Sequence, residues 1–223
     1  SLSAPAMVTM ELKTLWQLGI GNLATVCAYR LAIRLRLLEK RLPIGKGYQG
    51  PLFKPAWTTT ADFALPDASK MATQQEAEEL RQGRMRLFSH RFWQVGSPPA
   101  WFTNPLNGQR LTQPDTHWSR LADFDLGIGD LKCLWELSRF DWALLLARAY
   151  QLTGAQKYVT FLNVLASNWT EQNPLNQGPN WKCGQETVIR LMQVLLAAFI
   201  LGQYRTPTTG LQRFVTEHCL RIA

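Results

Sequence analysis

The 223-residue chain reads as mainly all-α, an incomplete α/α toroid or solenoid of helical hairpins behind a loop-rich N-terminal wrap. Three observations predict this. Apolar residues recur at helical spacing through the C-terminal half, Gly-bearing turns separate those stripes, and 46% hydrophobic residues with a mean hydropathy of −0.14 can fill one core. Residues 1–11 read as a tail, 12–130 as a helix and wrap, and 131–223 as hairpins expected to continue past the chain end.

Thr14–Lys40 favours helix, and Arg30, Arg34, Arg36, Lys40 and Arg41 gather toward its C-terminal end, where cations suit the helix dipole. Pro43 and the glycines after it end the helix. It reads as a surface helix with a solvated face, with a basic amphipathic membrane helix as the functional alternative. Gly45–Lys70, with Pro51, Pro55 and Pro66, is expected to wrap the body, and Thr73 followed by Glu76 is a capping-box pattern that opens a helix to Arg86. From Arg86 to Leu111, a brief alternation and then Pro98, Pro99, Pro105 and Gly108 read as a short strand pair or an extended wrap.

Asp130 is a candidate N-cap for a helix carrying Leu131, Leu134, Trp135, Trp142, Leu145, Leu146 and Ala149 on one face, stopped by Gly154. Gln156–Gln172 forms the second arm of that hairpin, with Tyr158, Phe161, Leu162, Leu165 and Trp169 as its stripe. A loop crowded with Asn, Pro and Gly leads into a third helix, Lys182–Tyr204, expected to face Val188, Leu191, Met192, Leu195, Ala198 and Phe199 inward. A fourth is expected over Thr209–Ile222.

A net charge of +8 suits an acidic partner, whether nucleic acid, anionic lipid or a uronic-acid polysaccharide. Nine tryptophans are expected to be mostly core, with roughly a quarter near a ligand, since aromatic faces also bind sugar rings. Cys27, Cys133, Cys183 and Cys219 form no CxxC pair, and His90, His117 and His218 form no HExxH spacing. Neither a metal, a cofactor nor a disulfide framework is signalled. Leu191–Leu201 is too short an apolar run to span a bilayer. The Asn168-Trp169-Thr170 sequon carries no weight, because Trp169 belongs to a core stripe.

Three segments, SHRFWQVGSPPAWFTNPLNGQ, DLKCLWELSRFDWALLLARAYQLTGAQKY and WTEQNPLNQGPNWKCGQETVIRLM, resemble in order and spacing the N-terminal domain of heparinase II/III-type polysaccharide lyases. The resemblance covers about Leu12–Ala223 and is strongest over Arg86–Met192. It implies a helical toroid followed by β-sandwich sheets, cleaving uronate-containing acidic glycans by β-elimination. A base takes the C5 proton while other groups neutralise the carboxylate of the resulting enolate-like anion. The reacting Asn, Tyr and His that the resemblance implies have no counterpart here, so no catalytic residue is expected in this chain, and His218 does not match. A non-catalytic polysaccharide-binding scaffold for exopolysaccharide synthesis or export is the alternative. The implied partner is an acidic polysaccharide rather than nucleic acid, with self-association through the toroid edge. Free cysteines and the lack of a clear signal peptide favour the cytoplasm, while the resemblance permits the periplasm.

The candidate substrate-binding residues are Trp135, Glu136, Arg139, Asn180, Trp181, Glu186 and Arg190. Asn180 either caps the third helix or donates to a sugar hydroxyl, and Trp181 either stacks on a sugar or plugs the toroid wall. Glu186 and Arg190 either form an i,i+4 pair or leave Arg190 to face a carboxylate in the groove. Glu136 and Arg139 repeat that ambiguity. Phe140 stands where such lyases often carry His, which weakens any polar role there.

Overall fold

The computed structural model describes residues 19–55, 67–122 and 127–223. The chain divides into two compact units, Ser1–Pro43 and Ile44–Ala223, and no candidate span long and apolar enough to cross a membrane exists among the described helices.

In the first unit the expected single helix is two, α1 (Ile20–Arg34) and α2 (Leu37–Arg41). Arg36 adopts φ 56, a left-handed conformation that breaks the i→i−4 ladder between them. The expected residues 14–18 of that helix lie outside those described. Val26, Tyr29 and Leu31 remain exposed on α1.

The second unit begins with an extended strap laid on later helices. Asn163 takes the Phe53 N–H through Oδ1 (2.9 Å) and donates Nδ2 to the Phe53 carbonyl (2.8 Å). Gln203 does the same for Lys54 (2.8 and 2.9 Å), so two amide side chains imitate a sheet partner for a single strand. Leu52 and Phe53 of this strap are fully buried. Gly47 is required here, since a Cβ would stand 2.5 Å from the Glu171 carbonyl oxygen.

Helix α3 (Asp67–Arg81) starts earlier and stops earlier than the capping-box pattern suggests. Thr73 lies inside it, donating Oγ1 to the Ser69 carbonyl at 2.8 Å, so its hydroxyl bonds backward rather than capping. Gly83, at φ 81, turns the chain into an antiparallel pair, β1 (Arg84–Leu87) and β2 (Arg91–Gln94), with Arg86 opposite Phe92. The strand pair is therefore present at the start of the expected stretch, and the wrap follows it. Phe88 and Ser89 at the hairpin tip both have φ 54, the geometry of a type I′ turn usually filled by Asn-Gly.

The long helix expected after Asp130 is also two, α4 (Lys132–Leu137) and α5 (Asp141–Thr153). Phe140 breaks it at φ 65, and its ring is fully buried against Trp142 (4.3 Å), Trp169 (5.1 Å) and Phe214 (5.3 Å). Aromatic packing compensates the left-handed backbone. The N-cap position is Leu131 rather than the expected Asp130, and Asp130, one residue earlier, accepts the Lys132 N–H at 2.9 Å. Gly154 at φ 67 closes α5, and α6 (Lys157–Gln172) returns as the expected hairpin arm.

After a single 3-10 turn (Pro179–Trp181) come α7 (Gly184–Ile200) and α8 (Thr209–Ile222), the latter capped by Thr208, whose Oγ1 accepts the Leu211 N–H at 3.0 Å. Helix α5 lies between α3, α6 and α7, and α8 packs on α7. The inward face of α7 is not the expected one. Glu186, Thr187, Arg190, Val194, Ala197 and Ala198 are buried, whereas Met192 (56% exposed), Leu195 and Phe199 face outward. Only Ala198 of the expected set is buried. Polar partners inside the protein fix Glu186 and Arg190 there, and helical geometry then turns Met192, Leu195 and Phe199 away.

Candidate functional site

The seven singled-out residues come together, but as an interior junction. Glu136 lies in the last turn of α4, Arg139 sits in the break after it, and Glu186 occupies the first turn of α7, where the helix dipole favours a carboxylate. Arg139 meets Glu186 as a fork, Nε to Oε2 and Nη2 to Oε1, both 2.8 Å, and its Nη1 donates to Glu136. Glu136 uses its other oxygen to accept the Phe88 N–H at 2.6 Å. One guanidinium thus joins α4 to α7 and, through Glu136, to the strained hairpin tip. Hydrogen bonding to Glu186 and the two nearby carboxylates hold Arg139 protonated.

Glu186 and Arg190 do not pair with each other. Arg190 is 1% exposed and points into the aromatic core, 4.6 Å from the Trp169 ring and 5.2 Å from Trp181. Its Nε donates to His218 Nε2 at 2.8 Å, Nη2 to the Asn180 carbonyl at 3.0 Å, and Nη1 to the Ser138 carbonyl at 3.3 Å. No described carboxylate lies within ion-pair distance, and burial brings its pKa down to about 9 against the opposing pull of Glu186. His218 Nδ1 lies 2.7 Å from the Phe214 carbonyl, so the ring carries its proton there and accepts at Nε2. Burial and the Arg190 charge depress its pKa well below the ordinary value, keeping it neutral. The expectation that Arg190 faces a groove is replaced by this enclosure: three neutral acceptors and two indole faces solvate the cation in place of water.

Asn180 is fully buried and caps no helix. Its Nδ2 donates to Asn173 Oδ1 (2.8 Å), and α7 begins after Cys183 with no side-chain cap. Trp181 is buried, donating Nε1 to the Asn173 carbonyl at 3.1 Å, so its ring packs inside the protein rather than standing open to a sugar. Trp135, half-buried, donates Nε1 to the Pro179 carbonyl at 2.9 Å. The crowded loop therefore brings Asn180, Trp181 and Arg190 into the protein interior. Of the four charged members of the set, Arg139 alone keeps substantial solvent contact, at 32% of its side chain.

Ser138, Trp169, Asn173 and His218 complete the junction; Trp169 is expected as a core residue, and the other three are not expected among the site residues. His218 left one signal: it continues the Leu211–Phe214 stripe of α8, so a polar ring was bound to enter an apolar core. Among the described residues no group of three or more His, Cys, Asp or Glu could hold a metal ion, and all four cysteines are free thiols.

Two concave features lie elsewhere in this unit. A shallow groove of about 750 Å³ runs along the strap and α6, but Asn163, Ser167, Asn168 and Thr208 on its walls already bond within the protein. A smaller recess lies between α3, β1 and α5. No protein-family model matches the chain, and neither a curated protein nor a solved structure matches it.

Proposed function

We propose that the chain is the N-terminal helical part of a heparinase II/III-like polysaccharide lyase acting on uronate-containing acidic glycans, with its hairpins forming an incomplete α/α toroid. The catalytic Asn, Tyr and His belong outside these residues. One observation supports the reading. Two of the three segments that carry the resemblance, through their WELSR and NPLNQGPNWKCGQETVIR stretches, join by the Arg139–Glu186 fork, the Trp135–Pro179 bond and the Arg190–Ser138 bond. Residues placed 44 to 52 apart in sequence make one structural unit, which gives their joint spacing a physical reason. The +8 charge suits the acidic glycan.

The interior position of the junction favours a supporting role for these residues, and the same fact keeps the non-catalytic scaffold as the second reading. Two measurements separate them. The chain should be retarded in gels cast with heparan sulfate or alginate but not with neutral dextran. The full-length protein, incubated with heparan sulfate, alginate and bacterial exopolysaccharide, should generate the absorbance of unsaturated uronates. Retardation without that absorbance selects the scaffold, and absence of both on every acidic glycan refutes the two together.

A further inference from the structure

Helix α3, strand β1 and helix α5 enclose a recess of about 220 Å³. Asp141, Leu144, Leu145 and Arg148 of α5 line it at i, i+3, i+4 and i+7, one helical face, with Leu80, Met85 and Trp142 as apolar wall and Glu76, Arg84 and Arg86 at the sides. Two of its guanidinium groups are committed. Arg86 bridges Glu76 at 3.0 Å, and Arg84 is held by Glu79 and by Gln82 at 2.9 Å. Arg148 is not: half-buried, it makes no hydrogen bond or ion pair with any described residue. A half-buried guanidinium that is not drawn into an ion pair keeps its planar fork of donors available, so this recess favours an anion.

The other lining groups narrow the choice. Three arginines against Glu76 and Asp141 leave the lining at +1, which matches a monoanion, and the two carboxylates repel a multiply charged phosphate. Free carboxylate oxygens also need donors, which sugar hydroxyls supply. The volume is below the ~300–1,000 Å³ of drug-sized sites, so it admits one ring rather than an oligomer.

We propose that this recess binds a single carboxylate-bearing sugar unit, a uronic acid, with the carboxylate paired to Arg148, a C–H face of the ring against Leu144 and Leu145, and hydroxyls donated to Asp141. The ligand class rests on the function proposed above, and the unpaired Arg148 and the recess stand apart from it. Seven residues at 1.5 Å rise place Asp141 and Arg148 about 10 Å apart along α5, a span that one ring and two side chains bridge.

Titrating the chain with glucuronate, glucose and inorganic sulfate, and following the Arg148 Nε–H and Trp142 indole signals by NMR, tests the proposal. Glucuronate should shift both while glucose leaves them in place and sulfate competes weakly. Arg148→Ala should weaken glucuronate at least about tenfold, and Arg148→Lys less, since an ammonium keeps the charge but loses the fork. Thermal unfolding of both variants should match wild type because Arg148 bonds to nothing inside. Unchanged glucuronate affinity in Arg148→Ala, or sulfate binding as tightly as glucuronate, overturns the proposal. If the chain and Arg148→Ala both retain heparan sulfate while glucuronate binds neither, the recess assignment fails and the lyase reading stands. If glucuronate binds through Arg148 but no acidic polysaccharide is held or cleaved, the recess stands and the lyase reading fails.

Discussion

Replacing Arg190 with Ala should destabilise the protein severely and leave binding per folded molecule unchanged. The side chain is 1% exposed and satisfies His218 Nε2, the Ser138 carbonyl and the Asn180 carbonyl. Its loss orphans three buried acceptors, at about 1–3 kcal/mol each when wholly unsatisfied, and opens a void between two indoles. Because carbonyls retain other partners and Arg190 is itself buried at a cost, a total of about 3–5 kcal/mol is expected. A domain of this size loses about 2–4 °C per kcal/mol, so the melting temperature should fall by about 6–20 °C. Arg190→Met should recover part of the loss by filling the void without a buried charge, whereas Arg190→Lys cannot reach three separated acceptors. Scanning calorimetry with gel retardation on heparan sulfate at low temperature gives both readouts. A variant that melts like wild type yet loses retention would place Arg190 on a binding surface and refute the enclosure.

His218 sets a pH dependence of known sign. Its folded pKa lies below the ordinary ~6.5 of the unfolded chain, so the unfolded state binds more protons as pH falls through that value. Its contribution is fully present above pH ~6.5 and declines below it by up to about 1.4 kcal/mol per pH unit, and His218→Gln should flatten that limb in urea titrations from pH 7 to 5. Arg139→Ala leaves Glu136 and Glu186 facing each other with little solvent. A loss of about 2–3 kcal/mol by urea denaturation is expected after discounting for the partly exposed guanidinium, with faster hydrogen exchange at Phe88 N–H. On α7, Leu195→Gln should change stability by no more than about 0.5 kcal/mol, whereas Val194→Ala, fully buried, should cost about 1.5–3 kcal/mol. Equal costs at the two positions would restore the inward face that periodicity suggested.

Helix identity was legible where punctuation and stripe agreed. Gly154, adopting φ 67, closed α5 where expected, and Thr208 capped α8 at its expected start. The breaks inside long helical stretches were not legible, because Arg36 and Phe140 carry no local signal for a left-handed backbone. Phe140 holds that conformation only because Trp142, Trp169 and Phe214 surround it. The face of α7 was misread for a related reason. Hydrophobic periodicity assumes that apolar side chains choose the buried side, and here a carboxylate and a guanidinium choose it instead, each with partners supplied by other elements.

By itself, then, the order of residues determined that the chain is mainly helical and where the helices closed by Gly154 and opened after Thr208 lie. Tertiary structure decided which way the singled-out side chains point. A charged group lies inside a protein only if distant segments bring it hydrogen-bond partners, and whether Ser138, Asn180 and His218 converge on Arg190 is a property of packing that no local pattern contains.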